Sequence, residues 1–319
     1  MEQVLHGHHH APALSHDHHG HVHGIADPVL ITTARGLSAL KWSFLALALG
    51  AALQIGVVMR SGSVALLADA IHNCADAATA IPLGIAFLLM RRKPTARFTY
   101  GYGRVEDLAG VAIVVVILLS AIAAGYESLQ RLVQPHSVRA LGSVALAGFL
   151  GFAVNEIAAM IRIRAGRQIN SAALIADGHH ARIDGLASLA VAAGAGAVKL
   201  GYPIADPIIG LAITGAILVI VWQSAVTVFT RVLDGVEPEL MDEIRHAGEH
   251  VRGIRSVSDA RARWIGHALH AQADIEVDPS LSVRDGIALA DRFTAEVMHH
   301  LPAISALQVS IRASEGRAT

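Results

Sequence analysis

The sequence has little cysteine and few charged residues. One Cys in 319 residues excludes a disulfide framework and a cysteine-based zinc module. Charged residues make up 16% of the chain, whereas an average soluble domain has about 25%, so an ordinary soluble enzyme is not expected. With a net charge of −1, the chain lacks the excess of basic residues that is typical of nucleic-acid-binding proteins, and we expect no nucleic-acid partner.

Apolar residues are abundant instead, at 53% of the chain, and they occur in long stretches. These stretches cover 42–59, 63–90, 108–126, 140–162, 171–199 and 207–230. As helices, they are long enough to cross about 30 Å of hydrocarbon. Six buried helices of this length would need a very large soluble core. We therefore predict an α-helical membrane protein with six transmembrane helices that lies in the lipid bilayer.

Basic residues are concentrated in the predicted loop between spans 2 and 3 and in the turn between spans 4 and 5. They are Arg91, Arg92, Lys93, Arg97 and Arg104 in the first, and Arg162, Arg164 and Arg167 in the second. Loops rich in Lys and Arg stay in the cytoplasm. We therefore expect a multi-pass protein of the cell membrane, inner or plasma, with both termini cytoplasmic.

The composition divides the chain into three parts. Residues 1–36 form a predicted disordered tail that is rich in His, with nine His in residues 6–23. Residues 37–234 hold the six predicted spans, and residues 235–319 form a charged domain for dimerisation and regulation. The patterning of that domain predicts helices at 239–250 and 282–301 and strands at 257–265, 268–277 and 306–312. This order, αββαβ, indicates a small α+β domain.

An internal repeat relates span 2 to span 5. Residues 63–76 and 171–184 are identical at seven of 14 positions. The shared ionisable residues are Asp69 and Asp177, His72 and His180, and Asp76 and Asp184. The two spans run in opposite directions, which is the pattern of the inverted three-helix repeats that place a transporter's site near the membrane midplane.

The H-x-x-x-D spacing brings His and Asp onto one face of a helix. Two such faces would supply two imidazoles and two carboxylates, from His72, Asp76, His180 and Asp184, to a tetrahedral divalent ion. This donor set favours Zn²⁺, with Cd²⁺, Co²⁺, Fe²⁺ and Mn²⁺ as alternatives. Buried His–Asp pairs that only brace helices are the structural alternative. Asp69 and Asp177 lie one turn earlier, and they either orient the imidazoles or line a water-filled cavity.

These motifs resemble those of the cation diffusion facilitator family of zinc/proton antiporters. The resemblance depends on H-N-C-A-D at 72–76, H-A-R-I-D at 180–184 and Y-G-Y-G-R-V-E at 100–106. It implies a homodimer with a ferredoxin-like αββαβ cytoplasmic domain that exports Zn²⁺ in exchange for H⁺, as a secondary transporter without a prosthetic group and not as an enzyme. It also implies a charge pair between Arg104 and Asp234.

The cytoplasmic domain departs from relatives that load it with zinc. Where those relatives have His ligands, this chain mostly has Ser258, Gly286 and Arg312, and Asp274 is the one plausible ligand. His267 and His270 are an alternative ligand pair. His246 and His250 lie one helical turn apart, and without a third ligand we interpret them as surface residues.

Two further points stay open in the sequence. Glu156 serves a proton path, pairs with Arg182, or is a carboxylate that extends toward the membrane surface. The alternative function is a membrane metal sensor without flux, in which the His-rich tail and the soluble domain report metal to a partner.

His179 and Cys74 lie off the face of their motifs, so we do not expect them to be ligands.

Overall fold

The computed structural model describes residues 28–61, 80–133, 141–202 and 204–314. The predicted ligands His72 and Asp76, the neighbouring Asp69 and the His-rich segment 6–23 therefore lie outside the described residues. The first helix begins at Pro28, so residues 28–36 of the predicted tail are helical in the structure. Proline is well suited to the first position of a helix, because its missing N–H would have no helical partner there.

The N-terminal part of the structure is a bundle of apolar helices. They are α1 (Pro28–Ser61), α2 (Ala80–Met90), α3 (Arg104–Val133), α4 (Leu141–Ile169), α5 (Ala172–Lys199) and α6 (Ala205–Val232). All except α2 are long and apolar enough to cross a membrane. The described part of α2 is a shorter apolar helix at the end of predicted span 2. The prediction of a helical membrane domain is confirmed.

Helix α4 extends beyond the predicted span 140–162, and this corrects the interpretation of Arg162. The helix continues to Ile169, so Arg162 lies inside it and not in the turn before α5. Its side chain is only 1% exposed. Its Nε donates to Ser43 Oγ of α1 at 2.9 Å, and its Nη1 lies 3.1 Å from Asp177 Oδ2 of α5. A hydropathy window ends a span at such a charge because it cannot recognise the buried partner.

Among the elements that the structure describes, helices α4 and α5 pack against each other most extensively. Glycine makes this approach possible, because a Cβ atom at Gly178 would lie 2.6 Å from Ile163 Cγ1. A Cβ atom at Gly185 would lie 3.2 Å from Asn155 Cβ. Small residues at such contacts let helix backbones come close in membrane proteins. The contact therefore holds the inward face of α5 at a fixed distance from α4.

The C-terminal part is the predicted αββαβ domain. It comprises α7 (Pro238–Glu249), β1 (Ile254–Ile265), β2 (Ala268–Val277), α8 (Val283–His300) and β3 (Ile304–Ala313). Strand β2 is central, antiparallel to β1 and parallel to β3, so α8 is the crossover that a parallel pair requires. Ile244 of α7 and Phe293 of α8 are buried in the same core as Leu269 of β2.

The β1–β2 turn attaches this domain to the membrane helices. His267 is 4% exposed, and its backbone N–H and ring Nδ1 lie 3.2 and 2.7 Å from Glu106 Oε2 of α3. The Gly266 N–H donates to Asp107 Oδ2 at 3.3 Å. On the other side of the ring, Nε2 lies 3.4 Å from Thr33 Oγ1 of α1. The turn is therefore held between two helices by both of its residues.

A second set of contacts joins the ends of α3 and α6 to the same domain. Arg104 pairs with Asp234 and also donates to the Arg231 carbonyl at 3.2 Å. The Arg231 guanidinium lies over the Trp264 ring, 4.3 Å from its centroid, and donates to the carbonyl of Asn170 in the α4–α5 turn. These contacts therefore connect the ends of α3 and α6 to β1.

A double-mutant cycle will measure what the buried Arg162–Asp177 pair contributes to stability. Asp177→Ala leaves an uncompensated cation in the bundle, and we expect a loss of about 3–5 kcal/mol. Adding Arg162→Met removes that cation and should restore most of the loss. The measurement is the unfolding of the purified chain in detergent. Arg164→Met, at an exposed position of α4, is the control. A double variant that is less stable than Asp177→Ala would contradict the bracing role.

The Arg104–Asp234 pair predicts a second, weaker coupling. Asp234 has a φ of 60°, a left-handed conformation that Asn tolerates and Arg does not tolerate well, so Asp234→Asn is the suitable variant. Combined with Arg104→Gln, it should reveal a coupling of about 0.5–1 kcal/mol in thermal unfolding. Because both side chains are partly exposed, 1 M salt should reduce the coupling.

The control for this cycle is the exposed pair of Arg245 and Asp242 within α7, which joins no two domains. Its coupling should be smaller than that of Arg104 with Asp234. Equal couplings for the two pairs would mean that the contact between α3 and the segment after α6 adds nothing beyond a surface ion pair.

Candidate metal centre

The start of α5 sets the direction of its side chains. Asn170 turns the chain with a φ of 57°, and the Ser171 hydroxyl then accepts the Leu174 N–H at 3.0 Å as the N-terminal cap. Serine is among the preferred residues at this position, because its oxygen satisfies an amide that has no helical partner. From this fixed start, the H-x-x-x-D motif follows two to three turns along the helix.

His180 and Asp184 face the interior of the bundle. They are 2% and 5% exposed, and His180 Nδ1 lies 3.4 Å from Asp184 Oδ2. Their separation of four residues places both side chains on one face of α5, as the spacing predicts. The structure therefore brings together the two predicted ligands that it describes.

The separation of these two atoms suits joint binding of one ion. Two ligands at 2.0–2.2 Å from a tetrahedral Zn²⁺ lie about 3.3–3.6 Å apart. A neutral imidazole nitrogen and a carboxylate oxygen at 3.4 Å match this distance without a change in the backbone. Both groups also bind protons, and a metal ion competes with protons for such ligands.

The neighbours of this motif face other helices. Asp177 is fully buried, and its carboxylate contacts Arg162 of α4, as described above. His179 is turned toward α6, where its Nδ1 lies 3.1 Å from Ser224 Oγ. Asp177 thus belongs to the contact between α4 and α5, and its predicted action on the His180 ring stays a prediction.

Glu156 pairs with Arg182, which is one of the three alternatives that the sequence leaves open. The Arg182 Nε and Nη2 donate to the two carboxylate oxygens at 3.0 and 2.6 Å, so the contact is bidentate. This arrangement fixes the guanidinium in a plane and is stronger than a single hydrogen bond. It ties α4 to α5 a second time, two residues before Asp184.

The candidate ligands of the C-terminal domain are separated from one another. Arg312 donates to Asp274 Oδ2 at 2.7 Å, and His267 contacts Glu106. The His270 ring lies against Tyr100, with the ring centroids 6.4 Å apart. Burial, and then the nearby Arg263 charge, lowers the pKa of His270. The structure does not bring His267 and His270 together as a metal pair.

Within the described residues, another group does converge. Ligand atoms of His250, Glu296 and His300 all lie within 4.8 Å of one another. Sequence reasoning recognised the spacing of His246 and His250 but lacked a third ligand, because that ligand comes from α8. The Glu296-to-His300 spacing on the predicted helix 282–301 was the available signal.

Two family models match consecutive parts of the chain. The cation efflux transmembrane domain matches residues 40–232, and the cytoplasmic domain of cation efflux proteins matches residues 236–310. The first match ends at residue 232 and the second begins at residue 236, and the predicted border at 234/235 lies between these two positions. It falls between the end of α6 and the start of α7.

Two known proteins align with most of this chain, and one solved structure aligns with its C-terminal domain. A probable cation efflux system protein of Mycobacterium tuberculosis is 51% identical over 288 residues, covering 89% of this chain and 87% of the relative. The magnetosome protein MamM of Magnetospirillum gryphiswaldense is 28% identical over 267 residues, covering 80% and 81%. A nickel form of a MamM C-terminal domain variant is 32% identical, with a TM-score of 0.24, and covers 25% of this chain and 100% of that one.

The matched residues include the whole of α3 to α6 and most of the C-terminal domain. The match to the transmembrane domain contains the buried H-x-x-x-D motif of α5, and the match to the cytoplasmic domain contains the αββαβ elements. The chain belongs to the cation diffusion facilitator family of cation efflux transporters.

Proposed function

We propose that this protein exports Zn²⁺ across the cell membrane in exchange for protons. The observation that supports this is the buried pair of His180 and Asp184, whose nitrogen and oxygen lie 3.4 Å apart on one face of α5. The sequence repeat adds His72 and Asp76 as the other two ligands. Together they form a site with two nitrogens and two oxygens and enough negative charge to balance a divalent ion.

The donor set determines which ions the site prefers. Imidazole nitrogen favours Zn²⁺ and neighbouring transition metals, whereas Mg²⁺ prefers oxygen ligands and retains water. Two carboxylates also make the site accessible to Cd²⁺, Co²⁺, Fe²⁺ and Mn²⁺. Zn²⁺ is our proposed substrate because it accepts tetrahedral sites with mixed nitrogen and oxygen ligands without a geometric penalty.

Protons supply the coupling in this proposal. A metal ion binds neutral imidazole and ionised carboxylate, so its arrival releases protons from His180 and Asp184. When the inverted repeats move and the site opens to the other side, protons from that side return to the ligands and displace the ion. His is suited to this exchange because its ordinary pKa lies near 6.5.

The arrangement of basic residues supports a cytoplasmic C-terminal domain. The exposed loop 91–103 carries Arg91, Arg92 and Lys93, and it ends where Gly103 packs against Ile265 of β1. The loop therefore lies on the same side of the bundle as the C-terminal domain. Positively charged loops face the cytoplasm. We also propose a homodimer, because the small C-terminal domain has its helices on one face of its sheet and is suited to pairing with a copy.

Flux in proteoliposomes tests the ligand assignment. Asp184→Ala removes one metal bond and should abolish Zn²⁺ uptake and the accompanying proton movement. His180→Ala should do the same, because the two ligands act on a single ion. His179→Ala is the matched control, since His179 contacts Ser224 of α6 and should keep near-normal flux.

Each variant is first checked for membrane insertion and for its oligomeric state. Near-normal Zn²⁺ flux in Asp184→Ala, or equal defects in His179→Ala and His180→Ala, would contradict the site. Zn²⁺ binding by the wild-type protein without any flux would favour a metal sensor. Uptake measured over a panel of divalent ions identifies the substrate.

The His-rich tail provides a separate prediction. Deleting residues 1–24 should leave maximal flux unchanged, because this segment precedes α1 and is too polar to pack in lipid. Uptake at low free Zn²⁺ should fall, because clustered imidazoles collect metal ions near the entrance. Flux against free Zn²⁺ concentration separates the two effects. Complete loss of flux from a normally inserted protein would show that the tail takes part in the transport step.

A further inference from the structure

Four ionisable side chains meet at the ends of the two helices of the C-terminal domain. His250 follows the last residue of α7, and His300 is the last residue of α8. Glu296 lies one turn before His300, and His246 lies one turn before His250. The ring centroids of His250 and His300 are 5.5 Å apart and nearly parallel, and those of His246 and His250 are 4.7 Å apart. All four residues belong to the C-terminal domain and lie apart from the proposed transport ligands of α5.

The distances between these groups are compatible with a shared metal ion. Glu296 Oε1 lies 3.6 Å from His250 Nδ1, which is too far for a hydrogen bond. Ligand atoms of these three residues nevertheless lie within 4.8 Å of one another, on two different helices. Ligands of one transition-metal ion lie about 3.3–3.6 Å apart. A small closure would place all three around a single ion.

The helices favour a cation at this position in two ways. Both α7 and α8 end here, and the C-terminus of a helix carries a partial negative charge. His300 Nδ1 is also 2.9 Å from the Glu296 carbonyl, and a ring that donates there has its Nε2 lone pair available for a metal. The backbone thus prepares the tautomer that binds.

We propose that His250, Glu296 and His300 form a surface site for a divalent transition-metal ion, with Zn²⁺ as its probe and water completing the coordination. The bound ion links the end of α7 to the end of α8. The site is separate from the transport ligands of α5. It also differs from the position of Asp274, whose carboxylate contacts Arg312. Because two of the three ligands are imidazoles, Mg²⁺ and Ca²⁺ are not the ions that this site prefers.

Hydrogen exchange of the full-length protein in detergent tests this site locally, so metal bound to the tail or to the transport site does not obscure the result. A link between the helix ends should slow amide exchange in peptides that cover 246–251 and 296–301. The slowing reaches about 100-fold when free Zn²⁺ is 100 times its dissociation constant. The same concentration of Mg²⁺ should have no effect.

Glu296→Gln and His300→Gln should each abolish the Zn²⁺-dependent slowing in both peptides. His299→Gln is the matched control, because His299 is adjacent to the group but is not part of it. Exchange of the central strand β2 without metal confirms that each variant is folded. Absence of slowing in the wild-type protein, its persistence in both ligand variants, or its equal loss in His299→Gln would overturn the proposal. Flux through the membrane domain does not enter this readout.

Discussion

An ionisable side chain inside a bundle of membrane helices requires a partner, since the surroundings supply no water to solvate it. Helix α5 satisfies this requirement in three ways. Asp177 is held by the guanidinium of Arg162, and Arg182 is held by Glu156. The pair of His180 and Asp184 is chemically different, because neither member is permanently cationic. A proton or a divalent ion can supply the positive charge there, and this is the basis of the proposed exchange.

The two ion pairs also explain why α5 carries its motif so close to α4. Both connect α4 to α5, and Gly178, which lies between them, and Gly185, which follows Arg182, let the helix backbones approach. A face of α5 that is fixed at two points keeps His180 and Asp184 in register with each other. The packing between α4 and α5 therefore fixes the position of the proposed ligands of α5 relative to α4.

The sequence predicts the parts of this structure that depend on local spacing. Helix periodicity and the four-residue separation suffice to place His180 beside Asp184, and alternation suffices for β2, whose predicted bounds match those of the structure. The length of α4 could not be predicted in this way. Its final turns contain Arg162, and only the buried carboxylate of α5 makes that charge acceptable inside the bundle.

Contacts between distant parts of the chain also cannot be predicted from the spacing of residues. Glu106 and His267 are 161 residues apart, and no spacing rule relates them. The group at the ends of α7 and α8 shows the same limit on a smaller scale. In the sequence, His250 and His246 have the four-residue spacing of two metal ligands on one helix. In the structure, the partners of His250 are Glu296 and His300 of α8, a helix that the two intervening strands bring alongside α7.

The position of the β1–β2 turn imposes an order on assembly. The chain is synthesised from its N-terminus, so α1 and α3 are already in the bilayer when Gly266 and His267 leave the ribosome. Until then, Glu106 and Asp107 lack the backbone amides and the imidazole that contact them in the folded protein. The end of α3 is thus completed only after the β1–β2 turn has formed, and a chain truncated before β1 would leave both carboxylates without these contacts.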